Sequence, residues 1–306
     1  NSFALSFLGE LIEAYQLMRQ RDLTYDYERK TSVVSEIAAS RYGTGQGNLS
    51  DASKAKVVSS TYRERSIQFD GLLKSRIRSI AYYTKKSEDE ILTMIKEIPY
   101  YVNLKKKELP DVEETIKRSP DIKLIFSESG IKEKNMTLSK MNYLPDFSIF
   151  GGYIKENMNS AIAEFNRANQ DSIRLGFIIK VPLWSAFSNS KAVDQNEDSL
   201  HSTRFSMESA REKVRSLYEA SLIRLESDEA RIKVYKERLI PQARLSRDSS
   251  KISYETGKID FSALLESWNI LYTQEVDQIR LEAERDAQIL RLSAIADDLL
   301  PENLYE

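Results

Sequence analysis

A single histidine, His201, and no cysteine leave this 306-residue chain without the side chains most bond-making sites need. A thiolate nucleophile, a disulfide framework and a multi-histidine metal centre are all excluded. His201 lies among charges in a helical tract, where an imidazole is a solvated surface group rather than a ligand. No nucleophile–base arrangement and no phosphate-cradling glycine loop is visible. The pattern that recurs suits contact instead. Arg41-Tyr42-Gly43-Thr44-Gly45-Gln46-Gly47 and Ser253-Tyr254-Glu255-Thr256-Gly257-Lys258-Ile259 share Tyr-x-Thr-Gly. In each, the last glycine of that motif, Gly45 or Gly257, can take positive φ and end an incoming helix in a left-handed cap. Ser50 and Asp260 stand where they can cap the outgoing helix. Any helical hairpin needs such a glycine, but that need does not explain the shared tyrosine and threonine.

These turns have to be held by long elements, and the sequence supplies four. Helical tracts are predicted over about Leu5–Arg41, Leu49–Tyr83, Asn189–Ser253 and Phe261–Leu300. The first shows Leu8, Leu11, Ile12, Tyr15 and Met18 at three- and four-residue spacing. The third would span on the order of 95 Å if unbroken, at 1.5 Å per residue. Helices of that length pack as coiled coils, although Pro241 should interrupt this one because it cannot donate a backbone hydrogen bond. Between the second and third tracts the texture is mixed over Glu88–Asp121, with breaks at Pro99, Pro110 and Pro120. Short helices are expected at Val112–Lys117 and about Ile122–Lys140. With 45 Lys and Arg against 47 Asp and Glu the net charge is −2, which argues against a nucleic-acid binder. No apolar run reaches the roughly 18 residues a membrane-spanning helix needs.

The period changes from 3.6 to 2 in the middle of the chain. Ile173, Leu175, Phe177, Ile179, Val181 and Leu183 alternate with Ser172, Arg174, Gly176, Ile178, Lys180 and Pro182. Upstream, Phe147, Ile149, Gly151 and Tyr153 form one face of a weaker alternation. An apolar face of this kind covers a core in a soluble sheet or meets lipid in a membrane barrel, whose strands need about 9–11 residues. Helix pairs on both sides leave no spare apolar layer to cover these strands. Tyr153 and Trp184, near strand ends, suit an aromatic girdle. The polar joining segment, Lys155–Asp171, has the character of an external loop.

Taken in order, these features resemble the TolC-like outer-membrane efflux factors. The matching stretches are Ser40–Lys56, Ser119–Asp121, Tyr143–Tyr153, Leu175–Phe187 and Ile240–Leu271. The last of them, IPQARLSRDSSKISYETGKIDFSALLESWNILY, looks most like the heavy-metal (CzcC/CusC-type) branch. The resemblance implies a mostly α fold with a small β part: coiled-coil hairpins forming an α-barrel tunnel, and strands contributing to a trimeric 12-stranded β-barrel. It implies a first-repeat helical hairpin over 1–83 with its tip at 42–47, and equatorial helices over 84–142. A transmembrane β-hairpin follows over 143–187, then a second helical hairpin over 188–300 with its tip at 254–260, and a tail, 301–306. The first repeat's strand pair would precede Asn1. The implied function is a passive duct, without catalytic residues or cofactor, in a bacterial outer membrane with its tunnel in the periplasm. Its partners would be two further copies, outer-membrane lipid, a periplasmic adaptor and an inner-membrane pump of the RND type. Tyr42, Thr44, Gly45, Tyr254, Thr256, Gly257 and Lys258 would meet the adaptor. Asp51, Tyr254 and Glu266 would narrow the aperture, with Tyr254 hydrogen-bonded to Asp51. The cargo would be heavy-metal cations, or drugs and other small molecules, although no dedicated metal relay is evident. The alternative is a soluble coiled-coil scaffold with a small docked sheet.

Overall fold

The computed structural model describes residues 2–45, 47–154, 172–181, 186–297 and 299. Two bodies divide the chain, one formed by Asn1–Ser119 with Lys213–Glu306 and the other by Pro120–Glu212. The first body is helical: α1 (Ser2–Gly43), α2 (Leu49–Thr84), α3 (Glu88–Lys107), α4 (Val112–Arg118), the distal part of α6 (Ala186–Val234), α7 (Ile240–Glu255) and α8 (Phe261–Ile295). No helix among the described residues is long and apolar enough to cross a membrane. The expected interruption at Pro241 takes the form of a single π-turn, Tyr235–Leu239, which separates α6 from α7. There the Ile240 N–H reaches back to the Tyr235 carbonyl, and Pro241 then falls in the first turn of α7, where its missing N–H costs least.

The stretch Glu88–Asp121 is more regular than its prolines suggest. Pro99 lies inside α3, which runs on to Lys107. Ser87 and Glu90 close a reciprocal capping box at its start, and Glu88, Asp89 and Glu90 face Lys105, Lys106 and Lys107 across the helix dipole. Burial of Ile91, Ile95, Ile98 and Val102 then outweighs the one hydrogen bond that Pro99 removes. These four side chains join Leu8, Leu11, Ile12, Leu73, Ile77, Ile80 and Ile289 in the main apolar cluster of the body. Further along, the α1 seam turns polar: Gln20, Thr24, Tyr27 and Thr31 are all buried. Thr24 and Thr31 satisfy their hydroxyls on the carbonyls one turn back, at 2.6 and 2.7 Å, so burial does not orphan them. The fourth helix is shorter than its periodicity suggests, because Asp297 adopts positive φ (58°) just after α8 ends at Ile295.

The second body holds α5 (Pro120–Met141), strands β1 (Asp146–Ile154) and β2 (Ser172–Lys180), and the proximal part of α6. Asn196 on α6 donates to the buried Ser139 hydroxyl of α5 at 2.7 Å. The two strands form one antiparallel hairpin in which Phe147 faces Ile179, Ile149 faces Phe177, Gly151 faces Leu175 and Tyr153 faces Ile173. Both alternations therefore fall on one side of the sheet, as the sequence pattern requires. On the other side the Phe150 ring lies over Gly176, where a Cβ would sit 2.2 Å from it. Val181 lies just beyond β2. Leu183, Trp184, the loop 155–171, Gln46 and the tail 301–306 fall outside the described residues.

Candidate functional site at the hairpin tips

The two turns that share Tyr-x-Thr-Gly have one backbone geometry. Gly45 and Gly257 both adopt positive φ, 73° and 71°. Each donates its N–H to the tyrosine carbonyl of its motif, Tyr42 or Tyr254, at 3.0 Å. At the second tip the Lys258 N–H closes on the Ser253 carbonyl at 2.8 Å, completing a Schellman motif. The shared threonine has a role the sequence did not disclose. Thr44 donates its hydroxyl to the Ser40 and Arg41 carbonyls at 3.2 and 3.1 Å, and Thr256 to those of Ile252 and Ser253 at 3.0 and 3.2 Å. Each threonine hydroxyl thus adds a second bond at the last carbonyls of its helix, where the Ser40, Ile252 and Ser253 carbonyls also accept backbone N–H groups. The outgoing helices are capped by Asp260, as expected, and by Asn48 rather than Ser50. Ser50 supplies the N–H that the Asn48 side chain accepts, at 3.0 Å.

The tips are held side by side. Just behind them Ala38, Ala55, Phe261 and Leu264 are buried together, with Val34, Ala52, Tyr254, Leu265 and Trp268 packed around them. The Arg41 guanidinium stands 5.7 Å from the centroid of the Tyr254 ring, which also packs on Phe261 at 5.3 Å. Lys54 crosses from α2 to donate to Ser262 of α8 at 2.6 Å. The backbone repeat is therefore near-symmetric while its tyrosines differ: Tyr42 is exposed, and Tyr254 is a half-buried spacer between the hairpins. Within one chain the Tyr254 hydroxyl does not hydrogen-bond Asp51; its ring contacts Arg41 and Phe261 instead. Glu266 lines a groove of about 520 Å³ between α2 and α8, with Ser50, Lys54, Thr61, Arg65 and Asn269 among its walls, and Asp51 does not line it. Among the described residues no cluster of three or more acidic or imidazole groups is placed to hold a metal ion.

A second candidate surface is the strand hairpin. Its apolar side is open: Ile149 is 82% exposed and Leu175 81%, and Phe147, Tyr153, Ile173, Phe177, Ile179 and Val181 are exposed as well. A contiguous apolar face of this size marks a contact surface for protein or lipid.

No protein-family model matches the chain, and no curated protein matches it by sequence. Solved structures do match its fold. The outer membrane protein VceC from Vibrio cholerae superposes with a TM-score of 0.75 at 13% identity, over 95% of this chain and 69% of that one. The outer-membrane channel OprN gives 0.74 at 15% identity, over 96% and 66%. CusC, described as forming a transmembrane channel, gives 0.75 at 13%, over 94% and 66%. The chain thus spans about two thirds of the length of the structures it matches. Over the matched part of its length, the chain therefore has the fold of these outer-membrane channel proteins.

Proposed function

We propose that the chain is the greater part of one subunit of a passive outer-membrane duct in a tripartite efflux system. The observation that carries this reading is the strand hairpin, whose charges all lie on one face and whose other face is apolar and exposed. A nine-residue strand rises about 30 Å, enough for an apolar band of about 25 Å. Among the described residues both outer edges of the hairpin are unpaired, which calls for further strands beside them. A homotrimer in which each copy brings this hairpin and one more would close a 12-stranded barrel over a helical tunnel. The domain order given above fits that assembly, with the strands in outer-membrane lipid and the helical tips in the periplasm.

The tips then face a periplasmic adaptor, itself bound to an inner-membrane pump of the RND type. Tyr42, Thr44, Gly45, Tyr254, Thr256, Gly257 and Lys258 are the proposed contact set, and Asp51 and Glu266 the proposed aperture groups. Exposed glycine backbone in a fixed αL conformation offers an approaching chain both donors and acceptors. The proposed cargo class follows the heavy-metal branch that Ile240–Leu271 resembles. Gly257→Pro, or a bulky residue at Gly45, is expected to abolish export in a deletion strain while trimers still form in detergent. A bulky residue at Gly45 strains the turn by about 1–2 kcal/mol in the left-handed region, while proline at 257 cannot adopt φ 71° and removes the N–H that bonds the Tyr254 carbonyl. Export assays with crosslinking of the solubilised protein check this. Normal export by both variants would refute the tip assignment, and a monomer extractable in plain buffer would refute the duct.

A further inference from the structure

We propose that Arg174 lines the lumen of the strand barrel and biases it toward anions, an inference that rests on the reading of the chain as an outer-membrane duct. The register of β1 and β2 leaves the lipid-directed side without a charge and gathers Asp146, Arg174 and Lys180 on the other. In a membrane barrel the side opposite the lipid faces the lumen. Asp146 stands directly opposite Lys180 at the hairpin's open end, so these two charges largely offset each other.

Arg174 has no such counterpart. It lies inside β2 rather than at its end, and its cross-strand neighbour is Gly152. The next residue on its own face is Gly176, over which the Phe150 ring is folded. Two glycines therefore flank the guanidinium, and among the described residues no carboxylate lies within ion-pair distance of it. An unpaired arginine directed at lipid carries a penalty that rises to about 2–4 kcal/mol at the midplane and is smaller two residues from the start of a strand, whereas a water-filled lumen accepts it freely. Rotational symmetry would repeat it in every subunit and form a ring of guanidinium groups. Such a ring concentrates anions and opposes cations within its Debye length. The ring sets the small-ion bias of the barrel and does not define the cargo; its sign is the opposite of what a carboxylate aperture at the tips would give.

The test uses the full-length protein in planar lipid bilayers under a potassium chloride gradient. Arg174→Gln should lower the chloride-to-potassium permeability ratio about two- to fourfold, Arg174→Glu should lower it further, and Arg174→Lys should retain it. These 306 residues hold no cysteine, so Arg174→Cys adds one thiol per copy at this position, and the unsubstituted full-length protein is the reagent control. A water-borne, charged thiosulfonate should then change the conductance of Arg174→Cys channels and leave Leu175→Cys channels unaltered. An unchanged permeability ratio in conducting Arg174→Gln channels overturns the proposal, as does a thiol that reacts at 175 but not at 174. If the wild-type protein forms no channel at all, the duct reading fails and takes this inference with it.

Discussion

Replacing Tyr272 by alanine is expected to destabilise the helical body by about 3–5 kcal/mol, the range for truncating a large buried aromatic. Tyr272 is the centre of a cluster that ties three helices together. Its ring lies 5.1 Å from that of Tyr27 on α1 and 4.8 Å from that of Tyr62 on α2, both edge-on or nearly so. The Arg65 guanidinium covers its outer face at 5.5 Å. Ile240, Ala243 and Leu271 fill in around the rings, so collapse of the cavity would have to move α2, α7 and α1 at once. The hydroxyls grade the experiment. Tyr272→Phe loses only a 3.0 Å hydrogen bond with Thr24, whose own hydroxyl keeps the Gln20 carbonyl, and should cost about 0.5–1 kcal/mol. Tyr62→Phe should cost less, since no hydrogen bond of its hydroxyl is seen. Burial already pushes that hydroxyl up to about 12, so it stays neutral at any ordinary pH. Thermal denaturation of the intact protein, followed by helical circular dichroism, should rank the variants Ala, then Phe at 272, then Phe at 62. Equal losses for all three would show that packing at Tyr272 is not what joins the helices.

The sequence made the ends of this cluster legible but not its middle. Apolar spacing near Leu8–Met18 and the αL glycines announce helix and turn, because each depends only on local residues. Gln20, Thr24 and Thr31 carry no apolar signal, and no local rule says that a threonine will bond back to its own helix and so become buriable. Pro99 misled in the opposite direction: it is a helix breaker by propensity, overruled by four isoleucine and valine side chains meeting a core that lies elsewhere in the chain. At the tips the glycines were visible, while the capping role of Thr44 and Thr256 and the choice of Asn48 over Ser50 rest on atomic geometry. The strand faces were plain from alternation. That both apolar faces fall on one side depends on register, which alternation within one strand does not contain. The likeness to solved channels is likewise one of fold, at 13–15% identity, so it confirms architecture and leaves cargo and partner to experiment.

Glu282→Gln is expected to cost about 2–3 kcal/mol at neutral pH and almost nothing near pH 2. Two carboxylates on α8, Glu275 and Glu282, each bridge α1 to the π-turn–α7 segment. Glu275 accepts from Tyr27 at 2.9 Å and from Arg244 at 3.2 Å. Glu282 is paired with Arg19, and accepts from Lys236 on the π-turn at 2.8 Å and from Gln278 at 2.9 Å. Burial by itself would raise the Glu282 pKa. The hydrogen bonds from Arg19, Lys236 and Gln278 prevail and bring it from its ordinary 4.5 to about 2. A folded-state pKa below the unfolded one means stability that is present above pH 4.5 and lost as the pH falls toward 2. The full shift would correspond to about 3.4 kcal/mol, reduced here because Arg19 and Lys236 remain 35% and 52% exposed and can turn to solvent. Asp286, one turn further on, supplies the opposite sign. Burial raises its pKa against the pull of Arg285, so its charge costs stability at neutral pH and its protonation relieves that cost on acidification. Asp286→Asn should therefore be neutral or stabilising at pH 7, with its advantage shrinking in acid, while the Glu282→Gln deficit shrinks over the same interval. Stability of both variants measured at pH 7, 5 and 3 separates these cases. A Glu282→Gln deficit that persists undiminished at pH 3 would show that shape, not charge, makes this residue a link between α1 and the π-turn.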